Sequence, residues 1–432
     1  MLNFTEGLNW DSFKTLFNPP TPDPMFPNVR VLHWQFRRKT IPLMHHFVVP
    51  SLTSLEIDFK VVPPFHSFPY SLSDLCPNIK NVRIHIHRPW TQVGSEEAIS
   101  ALVRRWGNLQ VVICWDIKLD SDALSHLSRS CSLTNLAFES NAVVADHITS
   151  SDSMLRFSKL RELEIASQSL EPTSRLLTHT LLPAIETLVV DIDSCPPKHV
   201  IKSFFIGVQK SCHRYSLINL TLFHDRFVRP TTNHGLEWYH LTFDDIRPCM
   251  AFDQLRLLEI NVASTVNLTD DELLQLASAC PRVERLLINE EWGWNFGGGI
   301  TPDGLLQLLQ ILRSLSYFCL AIDTSGYTRP SPALESARTA GFVAPIPLHV
   351  NVVDSIIQPE SVDALAYFFG VIRQHTDYRS MNLCWSTSVM EDRPGSELSR
   401  KLWEDVFSAK AYERAKARWQ STPTIPAALK DE

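Results

Sequence analysis

A short pattern, apolar-x-x-apolar-x-apolar, recurs along most of this chain and constrains its fold more than any other feature. Copies begin at Val29, Leu52, Ile79, Leu109, Leu133, Leu160, Ile185, Leu217, Leu255, Val283 and Leu315. Their spacings are 23, 27, 30, 24, 27, 25, 32, 38, 28 and 32 residues. The last two apolar positions of each copy alternate at period two, as a strand with one buried face requires. With 44% of residues hydrophobic, the bare pattern arises by chance at roughly one position in twelve. Spacing and context therefore carry the inference. Turn-forming pairs precede many copies: Pro27-Asn28, Pro50-Ser51, Pro77-Asn78, Gly107-Asn108, Pro183-Ala184 and Pro281-Arg282.

Leu268 to Glu290 is the fullest copy. Thr269 and Glu272 form a capping box, in which each side chain can satisfy a backbone N–H at the helix start. Leu273, Leu276, Ala277 and Cys280 share one helical face. Pro281 then predicts that the helix ends near Ala279 or Cys280. Val283, Leu286 and Ile288 follow as a strand. Similar helices are expected over Leu119–Leu127 and from Ser95 to Trp106, the latter with Ile99, Leu102, Val103 and Trp106 on one side. Another follows Ile300-Thr301-Pro302, with proline where its missing N–H costs nothing.

At 432 residues the chain exceeds one ordinary core, but a solenoid grows without enlarging any core. The spacings lie around the 20–29 residues of leucine-rich repeats, with insertions. The expected fold is α/β: an irregular leucine-rich-repeat horseshoe, a curved parallel sheet of about a dozen strands with helices on its convex side. Expected boundaries are 1–25 for a short helical segment (Trp10, Phe13, Leu16, Phe17) with a Pro-rich linker, 26–390 for the solenoid, and 391–432 for a C-terminal helix and tail. Beyond Leu320, Pro345–Val353 reads as a strand, Ser361–His375 as a helix, and Tyr378 to Leu383 as a last repeat strand. One long amphipathic helix is expected from Ser396 to Trp419, with Leu398, Leu402, Trp403, Val406 and Phe407 apolar, either capping the stack or projecting from it. At the ninth repeat position, where an asparagine ladder usually ties turns together, only Asn141 fits.

Charge and cysteine usage narrow the function classes. Forty Lys and Arg against 47 Asp and Glu give −7, so no basic field points to nucleic acid or an anionic membrane. No secretory signal and no membrane-length apolar run are visible. Nine scattered cysteines without a CxxC pair suggest reduced, mostly buried thiols in the cytoplasm or nucleus.

The lead-in helix and Cys-Pro junction of residues 268–288 resemble the cysteine-containing leucine-rich repeats of F-box proteins. FPNVRVLHW (26–34), IPLMHHFVVPSLTSLEIDF (41–59), CPNIKNVRIHI (76–86) and FSKLRELEIA (157–166) are similar to the repeat region of fungal F-box domain-containing proteins, a likeness covering most of residues 20–330. The resemblance implies a substrate-recognition subunit of a cullin-RING (SCF) ubiquitin ligase, in which an F-box docks the ligase adaptor and the repeats hold a protein substrate. Residues 1–25 lack the Leu-Pro start and helical length of an F-box, so the adaptor is an expected partner only with an F-box upstream. The alternative is a repeat-only scaffold or adaptor.

Residues between the apolar strand positions are expected to face the concave side and bind protein: His33, Gln35, Glu56, Asp58, Arg83, His85, Trp115, Glu139, Glu162, Glu164, Asp191, Glu259, Asn261, Arg285 and Asn289. Their balance is acidic, which suits a basic partner segment. Trp292, Trp294 and Phe296 sit in a Gly-rich stretch that lacks the Lys-Ser/Thr of a phosphate loop; they are expected either to form a mobile, aromatic-tipped contact loop or to pack their rings on the solenoid. His85-x-His87 and His45-His46 have no third ligand at zinc spacing, so no metal is expected. Asp191-x-Asp193 reads as polar capping of a turn. With no nucleophile, zincin or dinucleotide signature, neither catalysis nor a cofactor is expected.

Overall fold

The computed structural model describes residues 2–4, 26–36, 47–59, 68–86, 95–150, 154–224, 240–294, 299–342, 344, 348–373, 383–384 and 396–420. The chain forms two compact units, Met1–Val228 and Arg229–Glu432. The division falls within the widest repeat spacing, between Leu217 and Leu255. Both units have a leucine-rich-repeat-like α/β solenoid architecture.

The first unit contains strands β1 (Leu2–Phe4), β2 (Val31–Phe36), β3 (Ser54–Phe59), β4 (Asn81–Ile86), β5 (Val111–Lys118) and β6 (Asn135–Ser140). Further along come the short β7 (Leu155–Arg156), β8 (Glu162–Ser167), the short β9 (Thr180–Leu181), β10 (Thr187–Ile192) and β11 (Asn219–His224). Its main sheet is parallel, in the order β1-β2-β3-β4-β5-β6-β8-β10-β11. Helices α1 (Phe68–Leu75), α2 (Ser95–Arg105), α3 (Ser121–Ser128), α4 (Ala142–Ser150), α5 (Leu170–Thr178) and α6 (Lys198–Ser211) connect successive strands, and consecutive helices pack on one another.

The repeat pattern is held in strict register. Leu32, Leu55, Val82, Val112, Leu136, Leu163, Leu188 and Leu220 pair in sequence across the sheet, and all are buried. A backbone device repeats with them. The carbonyls of Arg30, Thr53, Lys80, Gln110, Thr134, Arg161 and Glu186 each accept two consecutive N–H groups from the start of the next strand, at 2.7–3.2 Å. Each donating pair spans the second and third positions of its repeat. The repeat therefore satisfies its strand-entry groups by stacking, as buried backbone polar groups require.

The second unit contains β12 (His240–Thr242), α7 (Phe243–Ile246), β13 (Leu257–Asn261), β14 (Thr265–Asn267), α8 (Asp270–Ala279), β15 (Arg285–Ile288), α9 (Pro302–Ile311) and β16 (Tyr317–Cys319). It continues with α10 (Pro332–Thr339), β17 (His349–Asn351), α11 (Val362–Arg373), β18 (Leu383–Cys384), α12 (Ser396–Val406) and α13 (Ala409–Gln420). Its main strands pair in parallel as β13-β15-β16-β17-β18. The carbonyls of Arg256 and Glu284 repeat the double acceptance seen in the first unit. The Thr269 capping box forms as expected, with Glu272 N donating to Thr269 Oγ1 and Thr269 N to the Glu272 carboxylate.

Several expectations need correction. Leu2–Phe4 form a strand against β2; the remainder of the expected N-terminal helix and the Pro-rich linker lie outside the described residues. Asn141 forms no ladder. Its Oδ1 accepts the Val144 N–H at 2.8 Å and caps α4. An amide bridge does exist in the second unit, two positions earlier in the repeat. Asn261 Oδ1 accepts the Glu291 N–H at 3.1 Å, and Asn289 Oδ1 accepts the Val262 N–H at 3.0 Å.

The C-terminal helix is two helices. Ser408 Oγ accepts the Ala411 N–H at 3.1 Å, an N-cap that starts α13 anew. Both helices pack on α11. Trp403 is buried and its Nε1 donates to Ser355 O at 3.0 Å. Arg414 and Arg418 both reach Asp363, at 2.7 and 2.9 Å. Of the two alternatives the segment therefore caps the second unit's helical layer, although Leu398, one of its apolar residues, is 55% exposed.

No disulfide joins the described cysteines. Cys76, Cys114, Cys212, Cys249, Cys280 and Cys319 are buried, whereas Cys131 is exposed. Among the described residues no helix is long and apolar enough to cross a membrane.

Candidate protein-binding surface

Strands β3, β8, β10 and β11 alternate strictly between half-exposed or exposed residues and buried ones. Period-two geometry then puts the buried set under the helices and leaves the intervening side chains on an open face. Parallel register aligns those side chains in rows whose members are about 4.8 Å apart.

The row at the fifth repeat position runs His33, Glu56, Arg83, Ile113, then on to Ala137, Glu164, Val189 and Thr221. Two positions on, Gln35, Asp58 and His85 align, as do Glu139, Ala166, Asp191 and Phe223. Over β2–β3 the polar groups pair laterally. His33 Nε2 lies 3.3 Å from Glu56 Oε2, and Gln35 Nε2 donates to Asp58 Oδ2 at 3.2 Å. Such cross-strand pairs hold the face in a defined arrangement. Farther along, Asn135 Nδ2 donates to the Glu162 carboxylate and Asn219 Nδ2 to Thr187 Oγ1.

Strand β5 breaks the alignment. Cys114 pairs with Phe138, but the next partner, Glu139, sits opposite Lys118. Trp115, Asp116 and Ile117 are thus extra residues in β5, and such bulges re-aim side chains. Trp115 packs on the His85 ring with centroids 5.1 Å apart. Lys118 takes the lateral place beside Glu139, 3.9 Å from its carboxylate and 3.3 Å from Glu96. The pattern alone would place Trp115 there, and nothing in it identifies Lys118. Glu139 is only 5% exposed, so the surface position expected for it is wrong. It is a buried acid that Lys118 partly neutralises.

The residues expected on the face of the second unit divide differently. Glu259 is half-buried and Arg285 exposed. Asn261 and Asn289 are 2% and 0% exposed, so they do not present a surface. Asn289 adopts φ 54°, a left-handed conformation asparagine tolerates better than other side chains. Its amide donates to Ser264 O at 2.7 Å and Gly293 O at 3.2 Å. Beside it Glu290 accepts from Tyr317 OH and from Asn351 Nδ2, and Arg285 lies over the Tyr317 ring at 5.7 Å. Burial, with hydrogen bonding to Glu290 next, pushes the Tyr317 hydroxyl well above its ordinary value.

Of the two readings of the aromatic loop, the packed one holds for Trp294. Trp294 is 0% exposed, its Nε1 donates to Ile288 O at 2.9 Å, and its backbone N–H donates to Asp354 Oδ1 at 2.8 Å. The Val266 N–H donates to its carbonyl at 3.0 Å. Trp292 is half-buried, and Phe296 lies outside the described residues, as do His45, His46 and His87. No group of three or more metal-ligating side chains occurs among the described residues.

No family model matches the chain, and no curated protein matches it. Among solved structures it is similar to the crystal structure of the yeast Rad7 and Elc1 complex. That likeness is 13% identical, covers 87% of this chain and 88% of that one, and has a TM-score of 0.39. The register of its own strands makes this chain a leucine-rich-repeat-like α/β protein whose first unit carries an ordered sheet face of mixed polar and apolar side chains, half-exposed or exposed except on β6.

Proposed function

We propose that the chain is a non-catalytic protein-binding repeat protein whose first-unit sheet face holds a protein partner. The observation that carries the reading is the in-register series of side chains from β2 to β11, half-exposed on most strands, buried at Ala137 and Glu139 of β6, and laterally braced. An open repeat sheet with its side chains fixed in rows is suited to an extended or curved protein surface. The finer proposal is that this partner is the substrate of an F-box-type subunit of a cullin-RING ubiquitin ligase, acting in the cytoplasm or nucleus. It rests on the resemblance of the repeats to those of F-box proteins.

The test is affinity capture with the wild-type chain against a Glu162→Lys/Glu164→Lys variant. A protein recovered by the first and lost from the second supports the face as the binding surface, and identical recovery overturns it. Recombinant ligase adaptor mixed with the full-length protein tests the finer role. If the partner binds and the adaptor does not, the chain is a repeat-only scaffold.

A further inference from the structure

We propose that the floor around Glu164 takes a basic side chain, lysine or arginine, presented by a segment of the protein partner. The inference rests on the first-unit face being a protein-binding surface and names the chemistry it selects.

The geometry separates Glu164 from the other acids of this face. Glu56 has His33, Asp58 has Gln35, Glu139 has Lys118 and Glu162 has Asn135, and Asp191 is also engaged. Glu164 alone among these described acids has no hydrogen-bond or ion-pair partner. The register explains why: its lateral neighbours are Ala137 on β6 and Val189 on β10, neither of which can donate. Ile113 adjoins Ala137, and Ala166 lies two residues along the same strand face.

A half-exposed carboxylate is thus set among small and aliphatic side chains, of which Ile113, Ala166 and Val189 are half-exposed and Ala137 is buried. That combination complements a lysine or arginine, whose methylene stem lies along apolar surface while its charged head reaches an acid. An acidic segment would meet Glu162, Glu164 and Asp191 together and be repelled. An apolar segment would leave the carboxylate covered without a partner, which is unfavourable.

The test uses labelled peptides of alternating glycine and arginine, with lysine and glutamine versions, and fluorescence anisotropy at low and physiological salt. Wild-type protein is expected to bind the arginine or lysine peptide and not the glutamine one. Glu164→Gln should weaken binding roughly fivefold, the upper range for a single accessible ion pair. Glu171→Gln removes the same charge from an exposed site on α5 and should change nothing. Preference between the arginine and lysine arms identifies the head group.

Equal losses in both variants, no loss in Glu164→Gln, or no binding of either basic peptide overturns the inference. A protein partner that is captured and lost on charge reversal, while both basic peptides bind wild type and Glu164→Gln alike, refutes the basic anchor and leaves the surface intact. A partner indifferent to charge reversal refutes the surface itself.

Discussion

Lys118 reaches Glu139, 3.9 Å away, only because three residues of β5 are left out of the pairing with β6. Glu139 is buried, and an isolated buried carboxylate is costly. Lys118→Met should therefore destabilise the first unit by about 1–3 kcal/mol. Adding Glu139→Leu should restore part of that loss, because the buried carboxylate that Lys118 neutralised is gone. Urea midpoints of the single and double variants check this, and a double variant less stable than Lys118→Met refutes it.

Asn289 joins a special backbone conformation to three buried hydrogen bonds. Asn289→Ala loses the bonds and also places a poorly tolerated side chain in the left-handed region. The expected cost is about 3–5 kcal/mol, combining unpaired groups with backbone strain. Asn289→Gly loses the same bonds but accepts the backbone freely, and should be about 1 kcal/mol less damaging. Thermal melts of the pair decide, and equal melting temperatures would remove the backbone contribution.

Gly370 marks where α13 meets α11. A Cβ there would lie 1.9 Å from the Tyr412 ring, so Gly370→Ala must displace α13 or turn the ring. We expect a loss of about 1–3 kcal/mol and faster proteolysis near Ser408. Tyr412→Ala in the same chain should relieve the clash. Cleavage that stays at the wild-type rate in Gly370→Ala would contradict the packing.

Asp363 gives the same junction a pH dependence. Burial raises its carboxyl pKa, but hydrogen bonds from Arg414 and Arg418 outweigh that effect, and the net value is lowered. The folded form therefore binds its proton more weakly than the unfolded chain. Its stabilisation is present above the ordinary carboxylate value of about 3.9 and disappears as pH falls through the depressed one. Wild type should exceed Asp363→Asn in urea midpoint at pH 7, and the gap should close toward pH 2. A gap constant with pH would exclude this ion pair as its source.

The thiols offer a test of burial. Cys76, Cys114, Cys212 and Cys280 are pushed up to about 12 by burial, so almost no thiolate exists at pH 8. Among the described cysteines, iodoacetamide should label the exposed Cys131 first and these four only on unfolding. Mass spectrometry of the alkylated native protein reads the order.

The apolar repeat, the capping box at Thr269 and the helix face of Ile99, Leu102 and Val103 were legible in the sequence, because each follows from local periodicity or a local hydrogen bond. The repeat starts coincide with the strand-entry ladder because one hydrophobic period sets both burial and register. The surface was legible only in part. Alternation distinguishes outward from inward residues, yet it cannot reveal a bulge that replaces Trp115 with Lys118 beside Glu139. Nor can it show that Asn261 and Asn289 spend their amides on neighbouring turns, or that Trp294 is held by Ile288 and Asp354. These contacts join residues remote or irregular in sequence, so only chain packing assigns their partners. By itself the sequence determined the repeat and the fold class. The tertiary structure decided which polar residues are consumed in holding the turns together and which, like Glu164 between Ala137 and Val189, have no hydrogen-bond or ion-pair partner among the described residues.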